Sequence, residues 1–320
     1  MHSAALSDDS VLPGMSRQLT FLLVLILMSM SGLAYAASHT AGITPIIEIA
    51  TLKARLAQPE PNLLLVDVRD NESYELGHLP GAINLPVEHT FNENGDHTRI
   101  ASLQQFRDLL SHAGIQNTDY LVLYDDGMLK NAAHVFWVLE TYGHKKVSVL
   151  DGGLAGWIAD HGKVTTIATP LPRSQYIPSI ATHRLSTELT TLLGIKNANV
   201  AIIDARDQQE YQGITSKAKR KGHIPSAISI PWSENLTQTT PFPTVKSKQA
   251  LQSLYGSLNK EENIITYCNR GKESAVTYLV LRNLGYNVSV YDGAWLEWGN
   301  DSQLPIETGT TTIEHATHDQ

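Results

Sequence analysis

Cysteine is the scarcest feature of this chain: 320 residues hold one, Cys268. A lone cysteine excludes an internal disulfide, and with glycine at 271 there is no Cys-x-x-Cys pair for disulfide exchange. Positive charge is also short. Lys and Arg number 24 against 32 Asp and Glu, a net charge of −8, so the balance gives no reason to expect nucleic acid as a partner. The basic run Lys217-Ala218-Lys219-Arg220-Lys221 reads as a solvated loop. Phosphate-binding and dinucleotide glycine fingerprints are missing, so no nucleotide, flavin or metal cofactor is expected. Long apolar runs are missing as well. The longest, Phe21 to Met28, is too short for a comfortable membrane span.

That short run has a different reading. Arg17 precedes it, and Ser29 to Gly32 and then Ala34-Tyr35-Ala36 follow. Basic start, apolar core and small-x-small site describe a secretory signal peptide cleaved after Ala36, which implies a periplasmic protein with no stable membrane anchor. Asp8 and Asp9 suit a signal poorly, so Met15 is a candidate start. Exported proteins use cysteines in pairs, so one unpaired cysteine points to a reactive thiol.

Cys268 follows the β-branched run Ile264-Ile265-Thr266 and precedes a helix-forming run from Ala275 to Leu284. The thiol therefore sits at the carboxyl end of a strand, where a tight loop opens a helix. Backbone N–H groups and the helix amino end both favour a thiolate there, the reactive form. A buried structural cysteine is the plainer reading; Arg270, Gly271 and Lys272 alongside favour the nucleophile.

The chain is written twice. Leu65-Val66-Asp67-Val68-Arg69-Asp70 and Gly77-His78-Leu79-Pro80 return as Ile203-Asp204-Ala205-Arg206-Asp207 and Gly222-His223-Ile224-Pro225. Val149-Leu150-Asp151-Gly152 with Trp157 returns as Val290-Tyr291-Asp292-Gly293 with Trp298. Both halves alternate short apolar strands with helices, which implies α/β domains with a parallel sheet covered on both faces. Strands are expected near Leu63–Val68, Ile83–Leu85, Tyr120–Tyr124 and Lys146–Leu150. Helices are expected near Ile47–Ala57, Ser102–Ala113 and Lys130–Tyr142, then Ser186–Leu193, Lys248–Leu258 and Glu273–Leu284, with Gly143 and Gly285 as C-terminal caps. The divisions are residues 1–36 signal, 37–165 first domain, 166–182 a Pro-rich linker, 183–307 second domain and 308–320 a disordered tail. Features in both copies belong to the shared fold: Asp-x-Arg bonds locally, Gly-His-x-Pro shapes a turn, and His78 and His223 are not catalytic bases. The loop differs. Where the second copy has Tyr267-Cys268, the first has Tyr124-Asp125, so only the second can do cysteine chemistry.

Asp-x-Arg, Gly-His-x-Pro, Cys-x-x-Gly-x-x-Ser and Asp-Gly…Trp, in that order, resemble the rhodanese-type sulfurtransferases. Over residues 46–304 the chain is similar to their tandem thiosulfate form, with two rhodanese-like domains of which the first is inactive. The resemblance implies that Cys268 takes a sulfane sulfur from an anionic donor such as thiosulfate and passes it to a thiophilic acceptor, cyanide or a thiol, in ping-pong fashion. It assigns substrate binding to Asn269, Arg270, Gly271, Lys272, Glu273 and Ser274: backbone N–H groups cradle the persulfide, and Arg270 and Lys272 attract the donor. Two positions depart from the family pattern. Asn269 stands where a basic residue is usual, and Glu210 stands before Tyr211 where an Arg contacts the donor anion. The mercaptopyruvate-preferring Cys-Gly-Ser/Thr-Gly loop is missing, though that donor stays an alternative, as does a non-enzymatic persulfide carrier. Ser274 excludes the related phosphatases, which need Arg there.

Overall fold

Leu63-Leu64-Leu65-Val66 and Ala201-Ile202-Ile203 are aliphatic on both alternating sides, as a strand covered on both faces requires. The computed structural model describes residues 42–92 and 99–309 and places them in two five-stranded sheets, every pairing parallel. The expected signal segment and nearly all of the tail, including its His315 and His318, lie outside the described residues.

The first domain runs β1 (Ile46–Ile47), α1 (Ile49–Leu56), β2 (Leu63–Asp67), α2 (Asn71–Leu76), β3 (Ile83–Asn84), α3 (Leu103–His112), β4 (Tyr120–Tyr124), α4 (Lys130–Thr141), β5 (Val147–Leu150) and α5 (Gly153–Ala159). The second repeats it: β6 (Leu185–Ser186), α6 (Glu188–Gly194), β7 (Val200–Asp204), α7 (Gln208–Tyr211), β8 (Ile228–Ser229), α8 (Lys248–Leu254), β9 (Asn263–Tyr267), α9 (Lys272–Asn283), β10 (Asn287–Tyr291) and α10 (Ala294–Trp298). Sheet order is β1-β5-β4-β2-β3 in the first and β6-β10-β9-β7-β8 in the second.

Several boundaries differ from the sequence reading. Ile47 and Ser186 belong to two-residue edge strands rather than to helices, because each pairs with the strand after the Cys-loop-equivalent helix. The helix from Lys248 stops at Leu254, and α9 begins one residue early, at Lys272. Gly143 and Gly285 do follow the helix ends, at φ 81° and 84°.

The stretch from 166 to 181 has no helix or strand, yet it is fastened to the first domain. Tyr176 is buried, edge-on to Phe106, with its hydroxyl 3.0 Å from His144 Nδ1. Asn117 grips the backbone of Ile177 from both amide atoms.

Apolar side chains gather in three clusters. Each sheet's outer face has its own, and a third runs continuously between the two domains. Helices α4 and α9 lie in that shared core, buried almost all round, which suits their uninterrupted Ala132–Leu139 and Ala275–Leu281 runs. Polar clamps close the seam with a pseudo-twofold pattern. The Asp151 carboxylate accepts from Val245 N–H at 3.0 Å, and Asp292, its repeat, accepts from Ile100 N–H at 3.0 Å. Lys130 lies over the Trp232 ring, and Lys272 over the Phe91 ring. Glu140 takes a two-pronged bond from Arg282 and a 2.6 Å bond from the Tyr278 hydroxyl.

Candidate active site

The end of β9 is held rigidly. Tyr267 donates its hydroxyl to Asp204 at 2.6 Å and accepts the Ile224 N–H at 3.1 Å. Asp204 also binds Arg206 through Nε at 2.9 Å, and Arg206 reaches the Gly222 carbonyl and lies over Trp295. His223 stacks on Tyr211 at 3.8 Å, while in the first domain His78 stacks on Tyr74 at 3.7 Å and Asp67 binds Arg69. The repeated motifs thus brace strand ends and turns.

Beyond Tyr267 the chain turns through four residues into α9. Gly271, at φ 89°, makes the left-handed step that ends the loop. Trp295 and Leu296 N–H groups bind the Cys268 and Asn269 carbonyls and pin the loop to α10. Cys268 Sγ accepts from Gly271 N–H at 3.1 Å and from the Ser274 hydroxyl at 3.4 Å. The sulfur is fully buried. Here the expectation of a favoured thiolate is corrected: burial pushes the Cys268 thiol up to about 11, and the negative charge of Glu273 adds to it. The Ser274 hydroxyl and the backbone N–H groups of Ser274 and Arg270 pull the other way without winning.

The remaining loop residues separate into three groups. Asn269 is 3% exposed; its Nδ2 donates to both Glu210 oxygens at 3.0 and 3.1 Å, and its Oδ1 has no partner. Glu210 is itself buried, and that burial raises its carboxyl above the usual range. Arg270 is exposed, with no side-chain hydrogen bond or ion pair among the described residues. Lys272 is not a free cation, because its Nζ lies 2.8 Å from Glu88 of the first domain. Glu273 is half-buried and Ser274 fully buried.

Above this loop opens a cavity of about 320 Å³. Glu88 and Phe91 wall it from the first domain; Lys217, Asn269, Arg270, Lys272 and Glu273 complete it. Lys217 therefore borders the site rather than belonging to an idle solvated loop, and Arg220 of the same run is tied to carbonyls at the end of α10, Trp298 at 2.7 Å among them. Glu88 and Phe91 had no sequence signal, since only the tertiary fold brings them across. Glu210 had one, its departure from the expected Arg. Among the described residues no cluster of His, Cys, Asp or Glu is arranged to hold a metal.

The first domain's equivalent loop is one residue longer, from Asp125 to Leu129. Its Asp125 carboxylate is buried and accepts N–H bonds from Gly127, Leu129, Asn131 and Ala132 at 2.9–3.3 Å. Burial pushes this carboxyl up while those N–H donors oppose it. The carboxylate fills its own N–H cradle, which leaves no room there for an anionic sulfur.

A family model described as a rhodanese-like domain matches residues 48–160 and again 187–301. The thiosulfate sulfurtransferase of Corynebacterium glutamicum is 31% identical over 281 residues, covering 83% of this chain and 91% of that protein. A sulfur carrier protein of Thermus thermophilus is 33% identical over 275 residues, covering 81% of this chain and 94% of that protein. The 3-mercaptopyruvate sulfurtransferase of Escherichia coli is 31% identical over 271 residues, covering 81% and 92%. The solved structure of the Escherichia coli enzyme superposes with a TM-score of 0.70 at 27% identity, covering 79% of this chain and 99% of that one.

Proposed function

The chain belongs to the rhodanese-like family and is a sulfurtransferase of two tandem domains, and from that premise we propose that it moves the sulfane sulfur of thiosulfate through a persulfide on Cys268. The observation that carries this reading is the buried Cys268 sulfur, held by Gly271 N–H and the Ser274 hydroxyl in a loop whose Asn269 and Arg270 line a cavity together with Lys217. Export, read from residues 17–36, would place the activity in the periplasm.

The chemistry is two displacements at sulfur. Cys268 loses its proton to solvent as the donor arrives, and its thiolate attacks the outer sulfur of thiosulfate. The donor's S–S bond breaks, and sulfite leaves with the electron pair. A thiolate or cyanide acceptor then attacks the outer sulfur of the persulfide, and Cys268 departs as a thiolate. The substrates balance the electrons between them, so no further oxidant or reductant is needed. A dianion approaching a thiolate is repelled, and the inward N–H groups together with the rim cations offset that repulsion.

Arg270 is exposed, so its attraction for the donor is screened by water and salt. Arg270→Ala should lower kcat/KM for thiosulfate by roughly two- to tenfold, with a further loss when Lys217→Ala is added. Thiosulfate and 3-mercaptopyruvate assayed side by side provide the comparison. A higher kcat/KM for mercaptopyruvate, untouched by either substitution, would replace this reading with the alternative donor.

A further inference from the structure

Asn269 presents an anomaly that sulfur transfer from an anion does not explain. Its Oδ1 is a buried acceptor with no partner, in a side chain that lines the cavity and is 3% exposed. The orientation is imposed: Nδ2 is held by both oxygens of Glu210, so Oδ1 must point the other way. A buried carbonyl without a donor is costly, and an incoming N–H or O–H relieves it. Glu210 directly behind adds a carboxylate 6% exposed; the nearby charges of Arg206 and Lys217 favour its ionised form and that of Asp207 disfavours it.

This corner offers lone pairs and negative charge, so it repels sulfonate oxygens. The anionic donor is left to the cations of the lining, Arg270 and Lys217. In a double displacement the second substrate enters after sulfite has gone, and it is the one that can bring a hydrogen-bond donor to Asn269. We propose that Asn269 and Glu210 select the sulfur acceptor, and that it is a thiol whose short chain carries a protonated amine. Its N–H would bond Asn269 Oδ1, and Glu210 would favour ammonium over hydroxyl. Discharge needs no oxidant: the aminothiol sulfur bonds the outer persulfide sulfur as the bond to Cys268 breaks.

This inference rests on the proposed Cys268 persulfide, and the test separates the two. The full chain is loaded with thiosulfate, and loading is read by intact mass. The loaded protein is then discharged with cysteamine or with 2-mercaptoethanol, which differ only in ammonium against hydroxyl. The ratio of the two rates is compared between the wild type and Glu210→Gln, a substitution that keeps size and the bond to Asn269. Each thiol's intrinsic reactivity cancels in that comparison. The expected result is a cysteamine preference about tenfold weaker in Glu210→Gln. Asn269→Ala, read by the same ratio, guards against a folding defect in the first variant and should lower the preference too. An unchanged ratio in both variants, with loading intact, overturns the inference alone. Failure of the wild type to load overturns the function and the inference together.

Discussion

At Cys268 two effects oppose each other. The Gly271 N–H and Ser274 hydroxyl stabilise negative charge on sulfur, while full burial and Glu273 disfavour it, and the thiol lies at about 11. Burial and Glu273 thus favour the thiol over the thiolate, and reactivity should rise with pH. Glu273 is the adjustable part: it is half-buried in the first turn of α9 and also lines the cavity. Removing its charge relieves a destabilising neighbour of the thiolate, so the thiol pKa should fall. In Glu273→Gln the pH midpoint for persulfide loading should move down by roughly half a unit to one unit. Loading rate measured against pH checks this; an unmoved midpoint would show that Glu273 does not act on the sulfur.

At the scale of elements, the two β–loop–α units differ by a thiol, a carboxylate and one loop residue. Much of this was legible in sequence. Tyr120–Tyr124 is a strand as written, Lys130 opens a helix, and the Asp125-for-Cys268 exchange is visible without coordinates. Three things were not legible. Ile46–Ile47 and Leu185–Ser186 are too short to show a period, because a two-residue strand borrows its stability from its neighbour. Burial of Cys268 depends on α10 and the first domain closing around the loop, which no local pattern encodes. The Glu88 pairing with Lys272 joins residues 184 positions apart. Asp125 supplies the test at this scale. Its carboxylate satisfies four N–H groups, so Asp125→Ala leaves them buried and unpaired. The protein should lose about 2–4 kcal/mol of stability while sulfur transfer per folded molecule stays near the wild type. Thermal melts with a sulfite-release assay measure both; a loss of several orders of magnitude in turnover with the fold intact would bring Asp125 into the chemistry.

On the scale of the whole molecule, the first domain's contribution is a wall and a support. Its α4 carries His134, fully buried, stacked on Phe91 and edge-on to Trp137, with neither nitrogen bonded; the Gly271 backbone is near, but outside ordinary hydrogen-bond geometry. Burial holds His134 down to about 3, and His144 to about 4, against an ordinary 6.5. Above 6.5 neither folded nor unfolded chain protonates them, so they leave stability unchanged. Below it the unfolded chain takes protons that the fold refuses, and each should remove up to ~1.4 kcal/mol per pH unit. Denaturant melts from pH 7 to pH 4 should show the decline, and His134→Phe should flatten it; an equal slope in that variant would contradict the assignment. The proposal that chemistry sits in one half only of the doubled fold is open to a single reading of intact mass. After incubation with thiosulfate and removal of excess donor, the chain should gain the mass of one sulfur atom, the gain should sit on the peptide containing Cys268, and Cys268→Ser should show none. A gain that persists in Cys268→Ser would contradict the central claim outright.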